Sequence, residues 1–160
     1  TRQIPPGGEG KITIKANTTG YGGRKLMKNI TVMTNDPVKP RLNLTITGKV
    51  ENIVTISPQR VRFSGSAGQL LNASVRIIPE KKYPFKIIEA NAKKGEHITV
   101  SIKEEKKSER TGYVLTVENL KKDKGRYVDT IVLKTTSKIQ PTIKIPVYGI
   151  IYETSQKEKG

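Results

Sequence analysis

Apolar and polar residues alternate with a period of two along most of this chain. Ile30 and Val32 are separated by Thr31, and Leu42, Leu44 and Ile46 by Asn43 and Thr45. Successive side chains of a strand leave opposite faces, so such alternation predicts half-buried strands. Between the two runs lies Asn35-Asp36-Pro37. Asn and Asp bond their own backbone and Pro fixes φ, so this segment predicts a turn. Gly48 stops the second strand.

The same pattern predicts strands over residues 11–18, 26–34 and 41–50, with Ile12, Ile14 and Ala16 on one face of the first. Thr1 to Gly10 is turn-rich, Gly20 to Gly23 is a loop, and Glu51-Asn52 is a short hinge. Residues 53–57 and 61–63 read as one strand interrupted at Pro58. Residues 70–78 place Leu71, Ala73, Val75 and Ile77 inward. Residues 85–92 turn Phe85 and Ile87 inward, with Ile88 a third candidate. Residues 97–103 place Ile98, Val100 and Ile102 inward. Residues 103–110 read as a charged turn. Strands over 113–117, 127–135 and 142–151 complete seven or eight, and residues 154–160 read as a frayed tail. No segment longer than a turn has helical periodicity, so the class is all-β.

Residues 1–50 superpose on residues 102–151 at a constant offset of 101 without a gap. Ile30 and Val32 fall on Ile131 and Leu133. Leu42, Leu44 and Ile46 fall on Ile143, Ile145 and Val147. Pro40 falls on Pro141, and Gly48 on Gly149. A period near 100 residues is one immunoglobulin-like β-sandwich. The expected organisation is a complete seven-stranded sandwich at 53–153, preceded at 1–51 by the C-terminal half of another. The chain is then a piece of a longer multi-domain protein.

Three strands whose one apolar face has no covering layer are not expected to be stable alone. The face formed by Ile30, Val32, Leu42, Leu44 and Ile46 is therefore a candidate strand-pairing surface. It could be covered by a protein partner, by other domains of the same protein, or by a second copy in a homodimer.

Composition changes the picture in two ways. There is no cysteine and one histidine, so thiolate chemistry and multi-histidine metal sites are excluded. No apolar run is long enough for a transmembrane helix, and no membrane insertion is expected. The formal net charge of +16 favours anionic partners, nucleic acid or anionic glycan. Residues 1–52 carry 9 basic and 3 acidic side chains, and residues 53–160 carry 21 and 11, so the excess is diffuse. Local clusters are Lys81-Lys82, Lys93-Lys94, Lys106-Lys107 and Lys121-Lys122 with Lys124 and Arg126. These flank strands and are the candidate polyanion contacts. Single-stranded nucleic acid would also need exposed aromatics, whereas Tyr113 and Tyr127 fall on inward positions.

No catalytic or cofactor-binding constellation emerges. His97 beside Glu96 lacks a nucleophile in sequence, and a structural or surface role is the simpler reading. Asp36 offers too few carboxylates for calcium, so turn chemistry explains it better. Gly7-Gly8-Glu9-Gly10 and Gly20-Tyr21-Gly22-Gly23 lack the Gly-Lys-Ser/Thr ending of a phosphate loop. Asn17, Asn29, Asn43 and Asn72 begin glycosylation sequons by pattern, read here as incidental.

Residues 4–12 (Ile-Pro-Pro-Gly-Gly-Glu-Gly-Lys-Ile), 30–37 (Ile-Thr-Val-Met-Thr-Asn-Asp-Pro) and 44–48 (Leu-Thr-Ile-Thr-Gly) together carry a resemblance. The chain resembles a bacterial Ig-like family of unknown function related to hydin-like and major-sperm-protein-like domains. Residues 4–50 match well. Residues 53–153 match in outline, with Thr136-Ser137-Lys138 where Asn-Asp-Pro would stand. The resemblance implies a seven-stranded sandwich, often in tandem, in exported or envelope-associated bacterial proteins, with no catalytic residues to carry over. Many members have a cysteine motif that this chain lacks. The expected function is a non-catalytic structural or interaction module, periplasmic or extracellular. The alternative is a nucleic-acid- or polyanion-binding module.

Overall fold

A computed structural model describes residues 3–18, 20–107 and 110–153. Among them are ten strands and no helix. The chain divides into two compact units, Thr1–Asn52 and Ile53–Gly160.

The first unit is built on one antiparallel pair, β1 (Lys25–Met33) and β2 (Arg41–Lys49). Ile30 stands opposite Leu44, and Val32 opposite Leu42. The other face is mostly polar, with Met27 and Met33 exposed among the polar side chains. Thr31 Oγ1 donates to Asn43 Oδ1 at 3.1 Å, and Thr45 Oγ1 to Asn29 Oδ1 at 3.0 Å. The strand expected over 11–18 does not form, and Ile12 and Ile14 are 58% and 39% exposed. A strand exists through hydrogen bonds to a neighbour. Its counterpart in the second unit is clamped between two strands that residues 1–52 do not supply.

The second unit has eight strands: β3 (Val54–Ser57), β4 (Val61–Ser66), β5 (Asn72–Pro79), β6 (Ile87–Ala92), β7 (Ile98–Lys107), β8 (Arg110–Asn119), β9 (Gly125–Thr135) and β10 (Thr142–Tyr152). They form two four-stranded sheets, β3-β5-β8-β7 and β4-β10-β9-β6. This is the immunoglobulin arrangement, with the first strand shared between both sheets. Pro58 cannot donate to a ladder, so pairing of β3 with β5 ends at Ser57. The chain then crosses over, and β4 runs parallel to β10. Counted once, that interrupted strand leaves the seven of the fold.

The core is the inward phase of these strands. Val75, Ile77, Leu115, Val117, Ile131, Leu133, Ile145 and Val147 are all 0% exposed. Phe85, Ile98, Tyr113 and Tyr127 are buried as their phase predicts. Ile88 is not: it is 65% exposed, because the register shifts between Ile87 and Glu89 and turns it outward. The charged segment 103–110 is also mostly strand. The β7–β8 ladder continues through Glu104↔Tyr113 and Lys106↔Thr111 to Lys107↔Arg110. Backbone pairing does not require apolar side chains where both faces can meet solvent.

The pairing of β1 with β2 repeats that of β9 with β10 residue for residue at the offset of 101. Leu26↔Gly48 matches Tyr127↔Gly149, and Ile30↔Leu44 matches Ile131↔Ile145. The connecting turns also share their hydrogen bonds. Thr34 Oγ1 donates to the Lys39 carbonyl at 2.6 Å, and Thr135 Oγ1 to the Gln140 carbonyl at 2.6 Å. Asp36 Oδ1 accepts from the Val38 and Lys39 amides at 2.8 and 3.2 Å. Ser137 Oγ accepts from the Ile139 and Gln140 amides at 3.3 and 3.1 Å. A hydroxyl thus does in one turn what a carboxylate does in the other, and the proline is dispensable.

Candidate functional site

The ten basic candidates do not form one patch. Lys81 lines a groove of about 820 Å³ with Glu80, Phe85, Lys86, Thr111 and Thr136. That groove marks one end of the sandwich, where Lys82 lies 5.4 Å from the Tyr83 ring centroid. Lys106 and Lys107 reach the same end along β7, beside Thr111 and Arg110. Lys93 and Lys94 follow β6, and Lys121, Lys122 and Lys124 precede β9, at the opposite end. Lys124 Nζ is paired with Glu153 Oε2 at 2.6 Å. Arg126 lies within β9 and points outward.

At this second end a depression of about 420 Å³ is lined by Lys94, Glu96, His97, Arg126, Tyr127, Val128 and Asp129. Asp129 is 4% exposed. Its carboxylate accepts from the amides of Lys94 and Gly95 at 3.0 Å each and of Thr130 at 2.7 Å. Burial pushes its pKa up, but those N–H groups and the Lys94 charge outweigh burial and hold it below the usual value. Asp129 therefore anchors the turn between β6 and β7. Beside it, Tyr127 Oη donates to Asn119 Oδ1 at 2.6 Å, and Asn119 Nδ2 donates to the Lys121 carbonyl at 2.9 Å. Burial, reinforced by the Asp129 charge, pushes Tyr127 up to about 12. The His97 ring sits 5.2 Å from that of Tyr127, and its carbonyl accepts from Leu120. These groups hold loops together. Among the described residues no three His, Cys, Asp or Glu converge as a metal site would require.

In the first unit, Ile30 and Val32 are half-buried, while Leu42, Leu44 and Ile46 are 42%, 43% and 37% exposed. The structure brings these five onto one face of the pair. Their counterparts Ile131 and Ile145 are fully buried.

One surface escapes a reading that looks for charge in loops. The outward phase of β10 carries Lys144, Tyr148 and Tyr152, and Tyr148 and Tyr152 are 41% and 53% exposed. Arg62 on β4 pairs with Tyr148, and Val128 on β9 flanks it from the other side. The signal was present in the alternation: Tyr148 lies between inward Val147 and Gly149.

No family model matches the chain, and no curated protein matches it. Among solved structures it is similar to the ASH / PapD-like domain of human CEP192 (PapD-like domain 7). The identity is 10% and the TM-score 0.39, covering 63% of this chain and 86% of that one. It is also similar to a protein of unknown function from Porphyromonas gingivalis W83, with 9% identity and a TM-score of 0.47, covering 82% of this chain and 67% of that one.

Proposed function

We propose that the chain is a non-catalytic Ig-like structural and interaction module of a larger bacterial envelope or secreted protein. Its first unit is the closing strand pair of a preceding sandwich. The observation that carries this reading is the shared register: β1–β2 repeats β9–β10 pair for pair, turn bonds included. In the second unit that pair is flanked by β4 and β6 and faced by the other sheet. Equivalent strands from the same polypeptide would cover Ile30, Val32, Leu42, Leu44 and Ile46. The bacterial envelope assignment draws only on the resemblance of residues 4–50.

The contacts of His97 and Asp129 serve packing and loop anchoring. Amide hydrogen exchange tests it on the polypeptide extended upstream of Thr1. Protection of the β1 and β2 amides rising to the level of β9 and β10 supports the proposal. Unchanged exchange overturns it. Protection that instead rises with concentration of the present chain would mean a homodimer through this face.

A further inference from the structure

We propose that the outer face of the β4-β10-β9 sheet binds single-stranded nucleic acid. Tyr148 is the stacking platform, and Arg62, Arg126 and Lys144 are the phosphate contacts. This proposal rests on the second unit alone and is independent of how the first is completed.

Tyr148 is 41% exposed on a strand whose inward residues are fully packed, so its ring stands on a rigid floor. Arg62 is its partner on β4, across one strand spacing of about 4.8 Å. Arg126 faces Ile150 and so lies on the diagonal from Tyr148, about 7–8 Å away. Lys144 is four residues back on the same face, about 13 Å along the strand. Cations thus surround the ring on three sides, and Val128 completes an apolar floor beside it.

Charge supplies the second step. The outward positions of β4, β9 and β10 carry no carboxylate. Among the described residues nothing hydrogen-bonds or ion-pairs with the side chains of Arg62, Arg126 or Lys144. Lys134, at the rim, is neutralised by Glu89 at 2.6 Å. Free cations with no internal counter-charge suit a polyanion. The ring selects among polyanions. Every base offers a π-face to an exposed aromatic, but a duplex keeps its bases stacked on each other.

Fluorescence anisotropy of a labelled oligo-uridine or oligo-thymidine of about 12 nucleotides tests this, a length within the range that other single-strand-binding folds cover. Three phosphate contacts predict a slope of log affinity on log salt of about −2. Tyr148→Ala should weaken binding about tenfold and leave the slope unchanged. Arg62→Gln and Lys144→Gln should each reduce the slope by about 0.7. A Lys81→Gln/Lys82→Gln variant should bind as the parent does. In the unmutated protein, ultraviolet crosslinking of oligo-uridine should map to Tyr148, which needs no variant to fold. No binding at low salt overturns the proposal. So does heparin or duplex binding of equal strength that Tyr148→Ala leaves unchanged.

Discussion

Tyr127 stands opposite Gly149 across β9 and β10, and a Cβ on that glycine would lie 2.0 Å from Cε1 of the ring. The ring lies over the glycine, and its hydroxyl reaches Asn119. In the first unit Leu26 stands opposite Gly48, where an added Cβ would meet nothing within 4 Å. Two glycines at equivalent positions therefore do different work.

Gly149→Ala should destabilise the second unit by about 2–3 kcal/mol through overpacking. Gly48→Ala should change stability by less than about 0.5 kcal/mol. Denaturant melts of both variants check this. Pairing Gly149→Ala with Tyr127→Leu should recover part of the loss, because the leucine vacates the space. A Gly149→Ala variant as stable as the parent would contradict the packing described.

Ile131 and Ile145 are fully buried, whereas their counterparts Ile30 and Leu44 face incomplete cover. In this chain Ile145→Ala should cost about 3 kcal/mol, and Leu44→Ala less than about 1 kcal/mol. Unfolding followed separately by β9 and β1 amide signals distinguishes the two. An equal cost would mean that the β1–β2 face is already covered in solution.

Asp129 gives the second unit an acid-sensitive loop. The fold holds its pKa below the ordinary 3.8, so its stabilising contribution is complete above about pH 4. That contribution fades as pH falls through the lowered value. Asp129→Ala should cost about 2 kcal/mol at neutral pH and flatten the acid limb of stability against pH. Urea midpoints across an acid series provide the measurement.

Tyr127 acts at the other extreme. Its pKa, raised to about 12, means that its contribution is complete below about pH 10 and is lost as pH rises through 12. Ultraviolet titration should show late-ionising tyrosine, since burial pushes Tyr113 up as well, and Tyr127→Phe should remove the component near pH 12. A normal titration in the parent would contradict the burial described.

Ser137 takes the place of Asp36 in the matching turn. Ser137→Asp should keep stability within about 0.5 kcal/mol, while Ser137→Ala should cost about 1 kcal/mol by freeing two amides. Thermal melts of the two variants decide it.

The fold was legible because alternation and the offset of 101 are backbone-period signals, and Val75, Ile77 and Ile131 kept their phase. Ile88 was not, since a bulge shifts phase with no mark in composition. The strand over 11–18 failed for a related reason: Ile12 and Ile14 alternate correctly, but alternation reports a face and cannot supply a neighbour. Charge in the β7–β8 hairpin misled, because polar side chains disfavour burial rather than pairing. The basic loops are legible individually, but which end of the sandwich each occupies depends on strand order. Tyr148 was hidden for the same reason, since Arg62 joins it through a parallel pairing of residues 86 apart in sequence.

That pairing bears on how the protein is made. Among the described residues β10 is the last strand in sequence, yet it lies inside its sheet, between β4 and β9. A chain emerging from the ribosome amino end first presents β4 long before its partner exists. The sheet cannot close until Tyr152 has cleared the exit tunnel, and the β4 backbone from Val61 to Ser66 waits without its β10 partner until then. The β1–β2 hairpin, whose partners are near in sequence, can form early. Nascent-chain length, more than intrinsic folding speed, should set when the second unit first resists a protease.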